Sequence, residues 1–186
     1  MQDIVLPKKN EDQLLAKAKE LGSEPMFAYS ICDWTPGSGL HIAASKPKEL
    51  DSVRKKAKQA AFVVASSTDE KTIRLIRDAK WIKYFTNIET STGSDHSHYR
   101  RSNFNQVLAK LAKDTSKTYL VDFSHILKIE GKKRKLLLGR IAQNIKICKK
   151  YKVPVGIATF ATDPYELRNP SDLKAFLRTL KAGKIA

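Results

Sequence analysis

Two short runs constrain this chain more than any other feature: Phe62-Val63-Val64-Ala65 and Val155-Gly156-Ile157-Ala158 are apolar at every position rather than at every second one. A strand with one wet face alternates; a strand buried on both faces reads as a continuous apolar run, and such strands belong to parallel sheets covered by helices. Seven segments rich in Val, Ile, Phe and Tyr are candidate strands. They are Asp3–Leu6, Met26–Cys32, Leu40–Ala44, Ala61–Ala65, Ile82–Phe85, Thr118–Phe123 and Val153–Phe160.

Helical periodicity fills several of the gaps. Glu11–Leu21 carries Leu14, Leu15, Ala18 and Leu21 and stops at Gly22, and Asp69–Ala79 carries Ile73, Leu75 and Ile76. From Ser102, read as an N-cap, Phe104, Val107, Leu108 and Leu111 keep the period to Lys113. Lys132–Tyr151 places Leu138, Ile141, Ile145 and Cys148 on one face. Two Pro-led starts follow, Asp163-Pro164 and Asn169-Pro170. Repeated β–α units predict a single-domain α/β fold over residues 1–186, an irregular TIM-like barrel one strand short of eight. An open doubly wound sheet would carry a Gly-rich phosphate turn after its first strand, and none is present.

Charge then divides the chain. Met1–Asp95 holds 15 basic and 13 acidic residues, whereas His96–Ala186 holds 20 and 6, so nearly all of the net +16 lies in the second half. A near-neutral half joined to a strongly basic one predicts a surface facing a polyanion, with nucleic acid the first candidate. No run reaches the roughly 18 apolar residues of a membrane span, and the N-terminus does not read as a secretory signal. Cys32 and Cys148 lie outside metal-ligand spacing and read as buried thiols. The expected setting is cytoplasmic, with no membrane contact.

Three basic constellations stand out. His98-Tyr99-Arg100-Arg101 leads into a helix start, where arginines beside free N–H groups suit phosphate and Tyr99 could stack on a base. Lys132-Lys133-Arg134-Lys135 opens the long helix, against the macrodipole, an arrangement that an anion would relieve. Lys135, Lys146 and Lys150 form a stripe on that helix, with Lys149 and Lys152 beside it and Arg140 flanking. Between Lys132 and Lys152 there is no acid at all.

A catalytic set is harder to find. The strand ends, where a barrel enzyme places its chemistry, offer Asp33, Ser66, Ser67, Glu89, Ser124, His125, Thr162 and Asp163. Asp95-His96-Ser97-His98 reads as a polar loop rather than a metal site, and His41 and His125 as structural singletons. The expectation is no catalytic residue and no metal ligand on this chain.

Several segments carry a resemblance. They are Asn105–Lys113, the strand ending Val121-Asp122-Phe123-Ser124, the helix segment Arg140-Ile141-Ala142-Gln143-Asn144, Lys152-Val153-Pro154-Val155, and Glu166–Leu173. In order and spacing they resemble the ribonuclease P protein component 3 family of archaea, relatives of the eukaryotic thirty-kilodalton RNase P subunit. The resemblance covers about Asn103–Leu180, and weakens before it to strand order and the opening Asp3-Ile4-Val5-Leu6-Pro7. It implies an irregular TIM-like barrel in an RNA–protein enzyme that removes the 5′ leader of precursor tRNA. In such an assembly the RNA is the catalyst and uses Mg2+, and this subunit carries no cofactor. The implied partners are RNase P RNA, the smaller α/β component 2, the other RNase P proteins and, indirectly, precursor tRNA. The RNA-contacting residues would be Arg100, Arg101, Lys132, Lys133, Arg134, Lys135, Arg140, Lys146, Lys149 and Lys150. Related metal-dependent phosphoesterases open with paired histidines on the first strand. Here that strand reads Asp3-Ile4-Val5 and has no histidine, which argues against a stand-alone metal-dependent phosphoesterase, while His96, His98, Glu89 and Asp163 keep it as the alternative.

Overall fold

The apolar runs become the wall of a barrel. In the computed structural model, which describes residues 2–90, 95 and 100–180, seven strands lie side by side in chain order, each parallel to the next. They are β1 (Gln2–Val5), β2 (Glu24–Tyr29), β3 (Gly39–Ala43), β4 (Val63–Ser66), β5 (Tyr84–Thr86), β6 (Thr118–Asp122) and β7 (Val155–Ala158). The register of β3 on β4 pairs Leu40 with Val63 and Ala43 with Ser66; that of β6 on β7 pairs Tyr119 with Val155 and Asp122 with Ala158.

Strand alternation sends two apolar sets in opposite directions. Ile4, Ala28, Val64, Leu120, Ala158 and Phe160 fill the ring. Leu40, Ile42, Val63, Phe85, Tyr119, Val121 and Ile157 point outward into the main core beneath the helices. Both faces are buried, hence the unbroken apolar runs. His41 shares the interior with Phe160, ring centroids 6.2 Å apart, and burial pushes its imidazole pKa down to about 4.

The ring closes at a seam between β1 and the end of β7. Phe160 N–H donates to Ile4 O at 2.9 Å and Leu6 N–H to Ala161 O at 2.8 Å. Asp3 completes the join, accepting from Thr159 N at 2.7 Å and Thr159 Oγ1 at 2.6 Å. Burial raises the Asp3 pKa to about 6 even though these hydrogen bonds oppose the rise. No eighth strand is needed.

Around the ring run α1 (Glu11–Glu20), α2 (Pro47–Ala57), α3 (Glu70–Asp78), α4 (Gln106–Asp114), α5 (Phe123–Lys128), α6 (Gly131–Tyr151) and α7 (Pro170–Thr179), with a 3₁₀ turn at Pro164–Glu166. Side-chain caps set several starts: Asp69 accepts from Thr72 N, Asp122 from His125 N and Asn169 from Ser171 N. The cap of α4 is Asn105, accepting from Leu108 N at 3.0 Å, three residues beyond the expected Ser102. Ser102 is instead buried, its hydroxyl accepting from Gln143 Nε2 at 3.1 Å. Of the cysteines, Cys148 is buried as expected, but Cys32 is exposed, because β2 ends at Tyr29 and Cys32 lies in the following turn. No helix among the described residues is long and apolar enough to cross a membrane.

Candidate nucleic-acid interface

Because α6 has a helical period, its lysines fall on one side. Lys132, Lys133, Lys135, Lys146, Lys149 and Lys150 are exposed. Leu137, Ile141, Ile145 and Cys148 are buried against the barrel, where burial pushes the Cys148 thiol up to about 12. The middle of the exposed stripe, at Gly139, Ala142 and Gln143, carries no charge of its own. Arg100 fills this gap from outside the helix. Its N–H donates to Gln143 Oε1 at 3.0 Å and its carbonyl accepts from Gln143 Nε2 at 2.9 Å, a two-point clamp on the backbone. Its guanidinium lies directly over Gly139: a Cβ at that position would stand 2.5 Å from Arg100 Cζ.

One carboxylate organises the arginines. Asp95 accepts from Arg140 Nε at 2.8 Å, Arg100 Nη1 at 3.3 Å and Arg101 N at 3.1 Å. Burial would raise its pKa, but the hydrogen bond from Arg140 and those from Arg101 N and Arg100 outweigh it and hold Asp95 below the ordinary carboxylate value. Arg140 is 6% exposed and also donates to Glu89 O at 3.2 Å, so it braces the site from beneath instead of facing solvent. Arg101 is exposed.

At the start of α6 the four cations divide by role. Lys132, Lys133 and Lys135 are exposed, while Arg134 bends back to donate to the Ile129 and Leu127 carbonyls, closing the end of α5. At the other end the structure adds two cations outside the three sequence constellations. Lys110 and Lys113 of α4 join Lys150 and Lys152 around Tyr151, whose hydroxyl donates to Gln106. Their i, i+3 spacing on the polar face of α4 was the available signal.

Several of the strand-end candidates have structural duties, whereas Ser124 Oγ and His125 Nε2 are buried with no hydrogen-bond partner among the described residues. Asp33 accepts from Ser30 Oγ, Asp163 caps the 3₁₀ turn, and the Thr162 N–H donates to Glu166. Asp122 caps α5 and accepts from Asn87 Nδ2 at 2.8 Å. Glu89, 1% exposed, accepts from Tyr119 OH at 3.0 Å, and burial raises its pKa to about 7. A cavity of about 370 Å3 at this mouth is lined by residues that include Ser66, Ser67, Asn87, Thr90 and His125, with no carboxylate among the described lining. Among the described residues no three His, Cys, Asp or Glu side chains are grouped to hold a metal. His96, Ser97, His98 and Tyr99 lie outside the described residues.

Ring and wall together define a class: a TIM-like parallel barrel whose described carboxylates largely serve its own scaffold and whose outer helix α6 carries six exposed lysines and no acid. The chain belongs to the RNase P subunit p30 family, whose model matches residues 8–184. It is 28% identical over 171 residues to ribonuclease P protein component 3 of Methanococcus vannielii, covering 91% of this chain and 68% of that protein. With component 3 of Methanocaldococcus jannaschii it shares 39% identity over 79 residues, 42% of this chain and 34% of that one. With that of Methanococcus maripaludis it shares 26% over 153 residues, 62% of the relative's length, so the chain spans about two thirds or less of the relatives it matches. Among solved structures, a chain of the cryo-EM structure of archaeal ribonuclease P with mature tRNA superposes with a TM-score of 0.78 at 24% identity. The match covers 95% of this chain and 82% of that chain, and it shows the same fold.

Proposed function

We propose that this chain is a protein subunit of ribonuclease P, the RNA–protein enzyme that removes the 5′ leader from precursor tRNA, and that it acts by binding and supporting the catalytic RNA. The observation that carries the reading is the acid-free α6 on a barrel of this family, with exposed lysines towards both ends and Arg100 seated over the uncharged stretch between them. Arg100, Arg101, Lys132, Lys133, Lys135, Lys146, Lys149 and Lys150 would contact RNA phosphates. Arg134 and Arg140 hold that surface in shape, and Lys110 and Lys113 extend it. The catalyst in this reading is the RNA with its Mg2+. The partners are RNase P RNA, component 2 and the other RNase P proteins, with precursor tRNA contacted indirectly, in the cytoplasm. A stand-alone metal-dependent phosphoesterase is not favoured: no suitable ligand cluster exists among the described residues, and the first strand spends Asp3 on the barrel seam.

The test is precursor-tRNA cleavage by RNase P RNA at modest magnesium, with component 2 present and with or without this chain. Stimulation requiring all three partners supports the reading. No stimulation, or cleavage by the chain without RNA, sinks it.

A further inference from the structure

A groove of about 650 Å3 runs between α6 and the end of α7, with Gly139 and Ala142 in its floor, Leu180 along one side and Arg100, Lys146 and Lys149 at its edges. No acid lines it. Gly139 makes room for the Arg100 guanidinium, Ala142 leaves the neighbouring wall low, and the three cations make the rim attractive to an anion. Arg100 is the part that looks built. Its backbone is clamped by Gln143, its guanidinium rests on Gly139, and Asp95 engages one of its five N–H donors, leaving the others for a ligand. A guanidinium already held in place loses less freedom on meeting a phosphate than a free side chain does.

The sequence carries a cost at this point. Glycine in a helix interior is about 1 kcal/mol worse than alanine, and α6 accepts it halfway along its length. The positive backbone angles that otherwise call for glycine do not occur at Gly139. What requires the missing side chain is the guanidinium lying in its place.

We propose that this groove is a seat for one nucleotide of single-stranded RNA, its phosphate taken between Arg100 and Lys146 and its base laid on Ala142 and Leu180. The inference rests on the reading that the cationic wall binds RNA, and adds to it a specific position.

The test uses the full chain and two probes, RNase P RNA and a 12-nucleotide oligouridylate, titrated by fluorescence anisotropy over a range of salt. Gly139→Ala changes no charge and removes only the place of Arg100. It should weaken oligouridylate binding roughly tenfold and lower the salt slope by about 0.7, as one single-strand phosphate goes unneutralised. Arg100→Ala should do the same, and Gly139→Ala with Arg100→Ala no more than Arg100→Ala alone. Thermal melting monitors the fold, and alanine at position 139 in the double variant should raise the midpoint, since the helix gains propensity with nothing above it to displace. Lys19→Ala, on the near-neutral half, is the charge control. If Gly139→Ala binds as the parent does while Arg100→Ala is weakened, the preformed seat is overturned. Equal competition by a 12-base-pair duplex overturns the base contact. A parent chain that binds neither probe overturns the RNA reading itself.

Discussion

Asp95 Oδ1 stands 2.8 Å from Arg140 Nε, an ion pair across 45 residues of chain that ties Asp95 to the middle of α6. Removing the carboxylate leaves the Arg140 charge buried without its acid and releases Arg100. Asp95→Ala is therefore expected to lower stability by on the order of 3 kcal/mol in chemical denaturation. The Asp95 contribution is present above the ordinary carboxylate pKa and is lost as pH falls through its depressed folded value. The parent should accordingly lose this advantage over Asp95→Ala in strong acid. A variant as stable as the parent at neutral pH would refute this bracing role.

Glu89 works in the opposite direction. Its pKa is raised to about 7 by burial, so between the unfolded value of about 4.3 and about 7 the folded chain holds a proton that the unfolded chain has lost. The Glu89 contribution to stability falls as pH rises through that window and levels off above it, a loss of roughly 3 kcal/mol, partly offset by His41, whose lowered pKa of about 4 adds a rise of opposite sign up to the unfolded value of about 6.5. Asp3 adds a smaller fall of the same sign up to about 6. Glu89→Gln keeps an acceptor for Tyr119 and should flatten most of this dependence. Denaturation at pH 5 and pH 8 tests it, and an unchanged difference between the two would count against Glu89.

The basic cluster at the start of α6 separates into three exposed lysines and a structurally engaged arginine. Lys132→Ala, Lys133→Ala and Lys135→Ala combined should weaken RNA binding broadly and lower the salt slope by about one unit for each phosphate that is no longer neutralised, with the fold intact. Adding Arg134→Ala should cost a further 1 kcal/mol or so of stability, because the Leu127 and Ile129 carbonyls lose their donor. An unchanged slope in the triple variant would show these lysines to be merely solvated.

Arg77 makes a less intuitive case. It is 0% exposed, its three guanidinium nitrogens have no hydrogen-bond partner among the described residues, and it rests on Phe104 and Phe85 with Cζ 4.8 and 5.3 Å from the ring centroids. Burial pulls its pKa down to about 9. A flexible apolar side chain of similar length avoids that desolvation. Arg77→Met is expected to match or exceed the parent in stability, by up to on the order of 2 kcal/mol. A clear loss in the melting midpoint would show that the stacked cation is worth more than its burial costs.

Strands such as β4 and β7 were legible because burial on both faces writes itself into consecutive residues, β2 from its Met, Phe and Tyr content although only Ala28 is fully buried, and α1, α3, α4, α6 and α7 from their apolar period. Two helices were not. Only Leu50, Val53 and Ala57 of α2 are buried in an otherwise polar run, and the six residues of α5 follow β6 directly with no loop to separate strand from helix. The lysines of the site were visible as a stripe with no acid in it. Arg140 was misplaced on the surface because its partner, Asp95, lies on another element, and helical phase alone does not reveal a pair 45 residues apart. The buried Arg77 was hidden for the same reason, and so was Lys117, whose Nζ donates to the Ala79 and Ile82 carbonyls.

The unbroken length of α6 has a consequence for what it can recognise. Its first and last surface lysines, Lys132 and Lys150, are separated by ~27 Å at 1.5 Å per residue, with Arg100 marking the interval between them. A helix packed along its whole length cannot stretch or bend to follow a partner. The helix fixes where each lysine is rooted, while the four-carbon stem lets its ammonium swing over a few ångströms. On the proposed reading, an RNA would be held where its own fold brings phosphates near those roots, and the surface would gauge the shape of a backbone rather than the order of its bases.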